Sequence, residues 1–98
     1  MRKIDVSDYE VGGSGSYPVK GTLIQLLFNP ELKLSARDLI PQDAIARKIE
    51  SANGTLLLEE SEYQKVKAAI ETVKGYGRAD LEFVNRILNA PEVPVKEA

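Results

Sequence analysis

Ninety-eight residues with a formal charge of −2 suit a single domain, which buries roughly 60% of the surface its unfolded chain exposes. There is no cysteine and no histidine, which excludes disulfides, thiolate chemistry, cysteine zinc sites and the usual general base near neutral pH. The charges are evenly spread, seven bases and seven acids up to Leu58 and six and eight beyond it, so no electrostatic stripe favours nucleic acid or an acidic membrane surface. No run approaches the roughly 18 apolar residues of a membrane span, and no signal-peptide core follows Met1, which makes the cytosol the expected compartment.

Along the chain, Lys3 to Val11 carries Ile4, Val6 and Val11 among charged residues and reads as a half-buried strand. The Gly12–Ser16 run GGSGS is a loop, and Tyr17–Lys20 is expected to return as the second strand of a β-hairpin, with Pro18 at an edge or a strand beginning. Leu23, Ile24, Leu26, Leu27 and Phe28 then crowd into a short helix from Thr22 to Phe28. Thr22 and Gln25 have capping-box spacing, and Asn29-Pro30 ends the helix.

Ser35 is the expected N-cap of a turn through Leu39. Pro41 should break or kink the backbone there, so that a helix begins at Pro41 or Gln42 and runs to Ala52 with Ile45, Ala46, Ile49 and Ala52 on one face. Asn53-Gly54 closes it. Thr55–Leu58 is a short apolar strand leading into the most strongly patterned helix, where Tyr63, Val66, Ile70 and Val73 recur at steps of three and four. Ser61 and Gln64 have capping-box spacing at its start, and Gly75 offers a left-handed stop. A last helix from Ala79 to Asn89 is expected to bury Leu81, Val84, Ile87 and Leu88. Val93–Val95 between Pro91 and Pro94 is either a frayed tail or a weak edge strand.

The fold predicted is α+β, an N-terminal β-hairpin packed on three to four short helices, with a further short strand at 55–58. Residues 1–90 form one domain and 91–98 a tail. Leu26, Leu27, Ile45, Ile49, Leu57, Tyr63, Val66, Ile70, Val73, Leu81, Val84 and Leu88 are the expected core.

Three motifs invite a chemical reading. Glu59, Glu60 and Glu62 could suggest acid–base work or a cation site, but three acids in a first helical turn are what the helix dipole alone favours. Gly12–Gly15 matches a GXXG nucleic-acid clamp in spelling, but strands rather than helices flank it, and no Walker lysine or dinucleotide fingerprint accompanies it. Gly75-Tyr76-Gly77-Arg78 sets an aromatic between glycines ahead of an arginine, two residue types enriched at interface hot spots. Tyr76 and Arg78 are therefore the candidate partner contacts, and the plainer alternative has Tyr76 folding back on the core.

The order of segments, with TLIQLLFNPELKLSARDLI, AIARKIESANGTLLLEESEYQKVKAAIE and GYGRADLEFVNRILNAPEV following a polar strand pair, resembles small proteins encoded in phage and prophage morphogenesis regions. The resemblance implies a non-enzymatic interaction protein, an assembly chaperone or minor virion component located in the host cytosol or the virion. Its partner would be another protein or a second copy, with no cofactor, no metal, no small-molecule substrate and no membrane. The alternative is a small DNA-binding or regulatory module, which Asp80 and Glu82 beside Arg78 and Arg86 disfavour.

Overall fold

Period-two alternation at Arg2–Asp5 and Thr55–Leu58 sends Ile4, Leu56 and Leu58 to one buried face, and these two segments pair with each other across half the chain. The computed structural model describes residues 1–11 and 15–94. Its elements run β1 (Arg2–Asp5), β2 (Tyr9–Glu10), β3 (Ser16–Tyr17), α1 (Val19–Leu27), a 3₁₀ turn at Pro30–Leu32, α2 (Leu39–Ser51), β4 (Thr55–Leu58), α3 (Glu60–Thr72), a second 3₁₀ turn at Arg78–Asp80, and α4 (Leu81–Leu88). The fold is α+β, with the N-terminal hairpin and the 55–58 strand both present.

β1 and β4 are antiparallel, with Ile4 opposite Leu56 and Arg2 opposite Leu58. The other side of β1 is taken by Pro91–Val93. The Lys3 amide donates to the Pro91 carbonyl at 3.0 Å, the Val93 amide to the Met1 carbonyl at 2.7 Å, and the Met1 ammonium to the Val93 carbonyl at 3.1 Å. Of the two readings of this segment, the edge alternative describes 91–93, while Val95 lies outside the described residues.

The hairpin is shorter than its sequence pattern. Lys3–Val11 is not one strand, because the Asp5 carboxylate accepts from the Ser7 amide at 2.9 Å and from its hydroxyl at 2.6 Å, turning the chain between β1 and β2. The return strand stops at Tyr17, and Tyr17–Lys20 is not a strand beyond it. Asp8 Oδ1 accepts from the Val19 amide at 3.0 Å, satisfying an orphan donor and starting α1 three residues before the expected Thr22. Gly12, Gly13 and Ser14, the heart of the GXXG spelling, lie outside the described residues. On the loop's near side the Val11 amide donates to the Gly15 carbonyl at 3.1 Å.

Ser35 and Asp38 cap each other reciprocally, the Asp38 amide donating to Ser35 Oγ and the Ser35 amide to Asp38 Oδ2, each at 3.1 Å. From this turn α2 begins at Leu39 and runs through Pro41 without a break. Proline in the first helical turn gives up an amide hydrogen that has no intrahelical partner anyway. Ile45, Ala46 and Ile49 are buried, and Gln42 joins them by donating from Nε2 to the Leu27 carbonyl at 2.9 Å.

α3 buries Tyr63, Val66, Ala69 and Ile70 as its periodicity requires, and Val73 stays buried just past its end. Its capping box is made by Glu59 and Glu62, the Glu59 amide donating to Glu62 Oε1 at 3.0 Å, rather than by Ser61 and Gln64. α4 is rotated from its expected phase. Phe83 and Ile87 are buried, whereas Leu81 is 61% exposed, Leu88 is 36% exposed and Val84 is half-buried. Leu57, on the outward face of β4, is also exposed. The core is thus built from Ile4, Leu23, Leu27, Ile45, Ile49, Leu58, Tyr63, Val66, Phe83 and Ile87. Among the described residues no helix is long and apolar enough to cross a membrane.

Candidate functional site

Hairpin register places Tyr9 opposite Tyr17, and their rings stack at 4.8 Å between centroids. Tyr17 lies against the buried Phe83 of α4 at 5.6 Å. Each phenol then ties the hairpin to the turn before α4. Tyr9 donates to the Ala79 carbonyl at 2.7 Å and accepts from the Phe83 amide at 3.2 Å, while Tyr17 donates to Asp80 Oδ1. The second oxygen of Asp80 accepts from the Gly77 amide at 2.7 Å. Burial raises the pKa of both phenols above the ordinary tyrosine value, and for Tyr17 the adjoining Asp80 carboxylate adds to the rise.

Arg86 closes the arrangement. Its guanidinium sits 4.9 Å over the Tyr9 ring, and Nη1 donates to the Ser7 carbonyl at 2.6 Å and the Asp5 carbonyl at 3.3 Å. Nη2 meets the Glu82 carboxylate at 2.5 Å. These contacts make Arg86 a fastener that ties the hairpin to α4.

Between the hairpin and the start of α4 an open groove of ≈ 620 Å³ remains. Tyr9, Val11, Ala79 and Leu81 supply its apolar lining, and Arg78 and Glu10 stand at its rim beside Glu82. Glu82 is taken by Arg86, whereas neither Arg78 nor Glu10 pairs with an opposite charge among the described residues. The groove therefore combines an exposed leucine with two unneutralised charges of opposite sign.

The two sequence candidates part company here. Arg78 lines the groove. Tyr76 folds back instead, donating from its hydroxyl to the Ile70 carbonyl at 2.9 Å near the end of α3 with its ring still partly exposed. The carboxylates at the start of α3 have separate structural partners. Arg2 Nε donates to Glu60 at 2.9 Å and Gln64 Nε2 at 2.7 Å, while Lys48 Nζ lies 2.8 Å from the Glu62 carboxylate. Among the described residues no three acidic side chains converge in a way that could hold a metal ion.

Tyr9, Leu81 and the Tyr17–Asp80 pair escaped the sequence reading. The signal available was the symmetric placement of Tyr9 and Tyr17 about the glycine loop, since a hairpin closed there sets them opposite each other. Comparison with known proteins finds no matching family model, no matching curated protein and no matching solved structure.

Proposed function

We propose that the chain is a non-enzymatic protein-interaction module, of the assembly or minor virion type its phage-region resemblance implies, and that it engages its partner through the groove between the hairpin and α4. The observation that carries this reading is Leu81, a leucine 61% exposed on a groove whose rim holds Arg78 and Glu10, neither paired with an opposite charge among the described residues. Apolar surface beside unneutralised charge is the usual make-up of a contact patch, with the arginine supplying orientation. The occupant that fits is a segment of another protein carrying one apolar side chain for the floor, flanked by an acid facing Arg78 and a base facing Glu10.

The test is binding of the purified chain to purified capsid or tail components of the phage or prophage that encodes it, measured by calorimetry with wild type, Leu81→Asp and Arg78→Glu. Submicromolar or micromolar binding that both substitutions weaken at least tenfold, in folded variants, supports the reading. Equal binding by all three moves the contact elsewhere. Salt-dependent binding to duplex DNA, reduced by Arg78→Glu, would favour the regulatory alternative.

A further inference from the structure

The β1–β4 sheet has two outer margins, and only one is guarded. The Pro91–Val93 margin is flanked by Pro91 and Pro94, residues that cannot donate to a further ladder. The β4 margin reads Thr55-Leu56-Leu57-Leu58, without proline, lysine or any charge, the devices that ordinarily keep an edge from pairing.

Backbone parity fixes which groups that edge presents. The Lys3 amide and both Met1 backbone groups point toward Pro91–Val93, while the Val6 amide donates to the Gly54 carbonyl at 3.0 Å. Even-numbered residues of β1 therefore face β4, and in this register their hydrogen-bonded partners are Leu58, Leu56 and Gly54. It follows that the amides and carbonyls of Thr55 and Leu57 point outward. Among the described residues no group takes any of the four. Alongside the edge, Lys48, Ser51 and Ala52 together with Thr55–Leu57 bound a shallow open recess of ≈ 240 Å³.

We propose that β4 is a self-association edge, pairing antiparallel with β4 of a second copy about a two-fold axis through Leu56. This arrangement uses all four outward groups at once. Setting Thr55 opposite Leu57 of the second copy makes both hydrogen-bonded pairs by symmetry, since the same patch meets itself. The same register puts the two Leu57 side chains on the outward face as diagonal neighbours, within reach of each other, so that each covers the other's exposed apolar surface. A four-residue edge buries less than a standard interface, so the dimer is a weak, concentration-dependent one.

Sedimentation velocity on the full chain from micromolar to millimolar concentration tests this, together with amide hydrogen exchange followed residue by residue. The expected result is a mass rising from 10.8 kDa toward twice that value. Exchange at Thr55 and Leu57 should slow as concentration rises, while Leu56 and Leu58 are protected throughout. Leu57→Lys, a change on an already exposed side chain, should keep the fold and hold the chain monomeric. A wild type that stays monomeric overturns the proposal, and so does one whose exposed peptide groups are slowed only by a strand added from another protein. Dimerisation that Leu57→Lys leaves unchanged, or that leaves the Thr55 and Leu57 amides fast, places the contact on another face and overturns it too. None of these residues lines the Leu81 groove, so the outcome is independent of partner binding there.

Discussion

Tyr9 and Tyr17 face each other across a hairpin only two residues long on each side, with ring planes 9° from parallel. Two-residue strands contribute little by their own backbone pairing. The hairpin is held instead by what the two phenols reach, the Ala79 carbonyl and the Asp80 carboxylate of the segment that shapes the groove.

Tyr17→Phe removes one hydroxyl and keeps the stacked ring. Loss of a hydrogen bond to a charged acceptor costs on the order of 1–2 kcal/mol here, because Asp80 is only half-buried and retains the Gly77 amide. The same substitution alters the alkaline limb. A phenol whose pKa is raised in the folded state contributes stability that is fully present below the unfolded value of about 10 and is lost as pH rises through the folded value. Denaturation midpoints from pH 8 to 12 should therefore fall more steeply for wild type than for Tyr17→Phe above about pH 10.

Phe83→Ala should cost about 3–5 kcal/mol, and Leu81→Ala should stay within about 0.5 kcal/mol, in urea denaturation of the two variants. This pair measures the phase of α4 directly. Eight residues cover little more than two turns, and Leu81, Val84 and Leu88 make as regular a stripe as Phe83 and Ile87 do. What decides between them lies outside the helix, in Tyr17 and in the Tyr63 hydroxyl that donates to the Ile87 carbonyl at 2.6 Å. No local pattern carries that information.

Ile70→Ala should destabilise by roughly 2–5 kcal/mol, and a loss under about half a kilocalorie per mole would refute the assignment of the α3 face. This region was legible from sequence because a short apolar run, a helical period and an acidic first turn follow one another within one stretch of chain, although an all-leucine run hides which of its side chains faces out, and Leu57 proves exposed. The pairing of β1 with β4 was not. Local reading matched Lys3–Val11 to its nearest neighbour, whereas Ile4 sits opposite Leu56, and nothing in either segment alone specifies that distant partner. The groove was half legible: an arginine after two glycines drew attention to Arg78, but its neighbours Tyr9 and Leu81 arrive from separate elements.

Ser35→Ala should cost about 0.5–2 kcal/mol, by loss of the hydroxyl that accepts from the Asp38 amide ahead of α2, the Ser35 amide still reaching Asp38. It should also flatten the acid limb. The Ser35 amide and hydroxyl hold the Asp38 carboxyl below its usual pKa, as Ser7 does for Asp5. A depressed folded value means stability that is present above the unfolded pKa of about 3.9 and lost as pH falls through the folded one. Thermal midpoints between pH 5 and pH 2 should accordingly fall for wild type, and somewhat less steeply once the Ser35 hydroxyl is removed, the Ser35 amide continuing to hold the carboxyl.

Gly75 and Gly21 should respond in opposite directions to the same substitution. Gly75 adopts φ +97°, a conformation that side chains rarely take, and a Cβ built there meets nothing within 4 Å. The cost of Gly75→Ala is thus purely one of backbone conformation, about 1 kcal/mol, with Gly75→Asn costing less because asparagine tolerates left-handed geometry better. Gly21 lies exposed in the first turn of α1 with equally open space around it and no positive φ. Alanine there restricts the unfolded chain and suits the helix, so Gly21→Ala should stabilise by about 0.4–1 kcal/mol. Urea midpoints of the two alanine variants, measured against wild type at unchanged slope, should move apart. A loss at both positions would mean that the first turn of α1 does not have the helical geometry that the Asp8 carboxylate gives it by accepting from the Val19 amide.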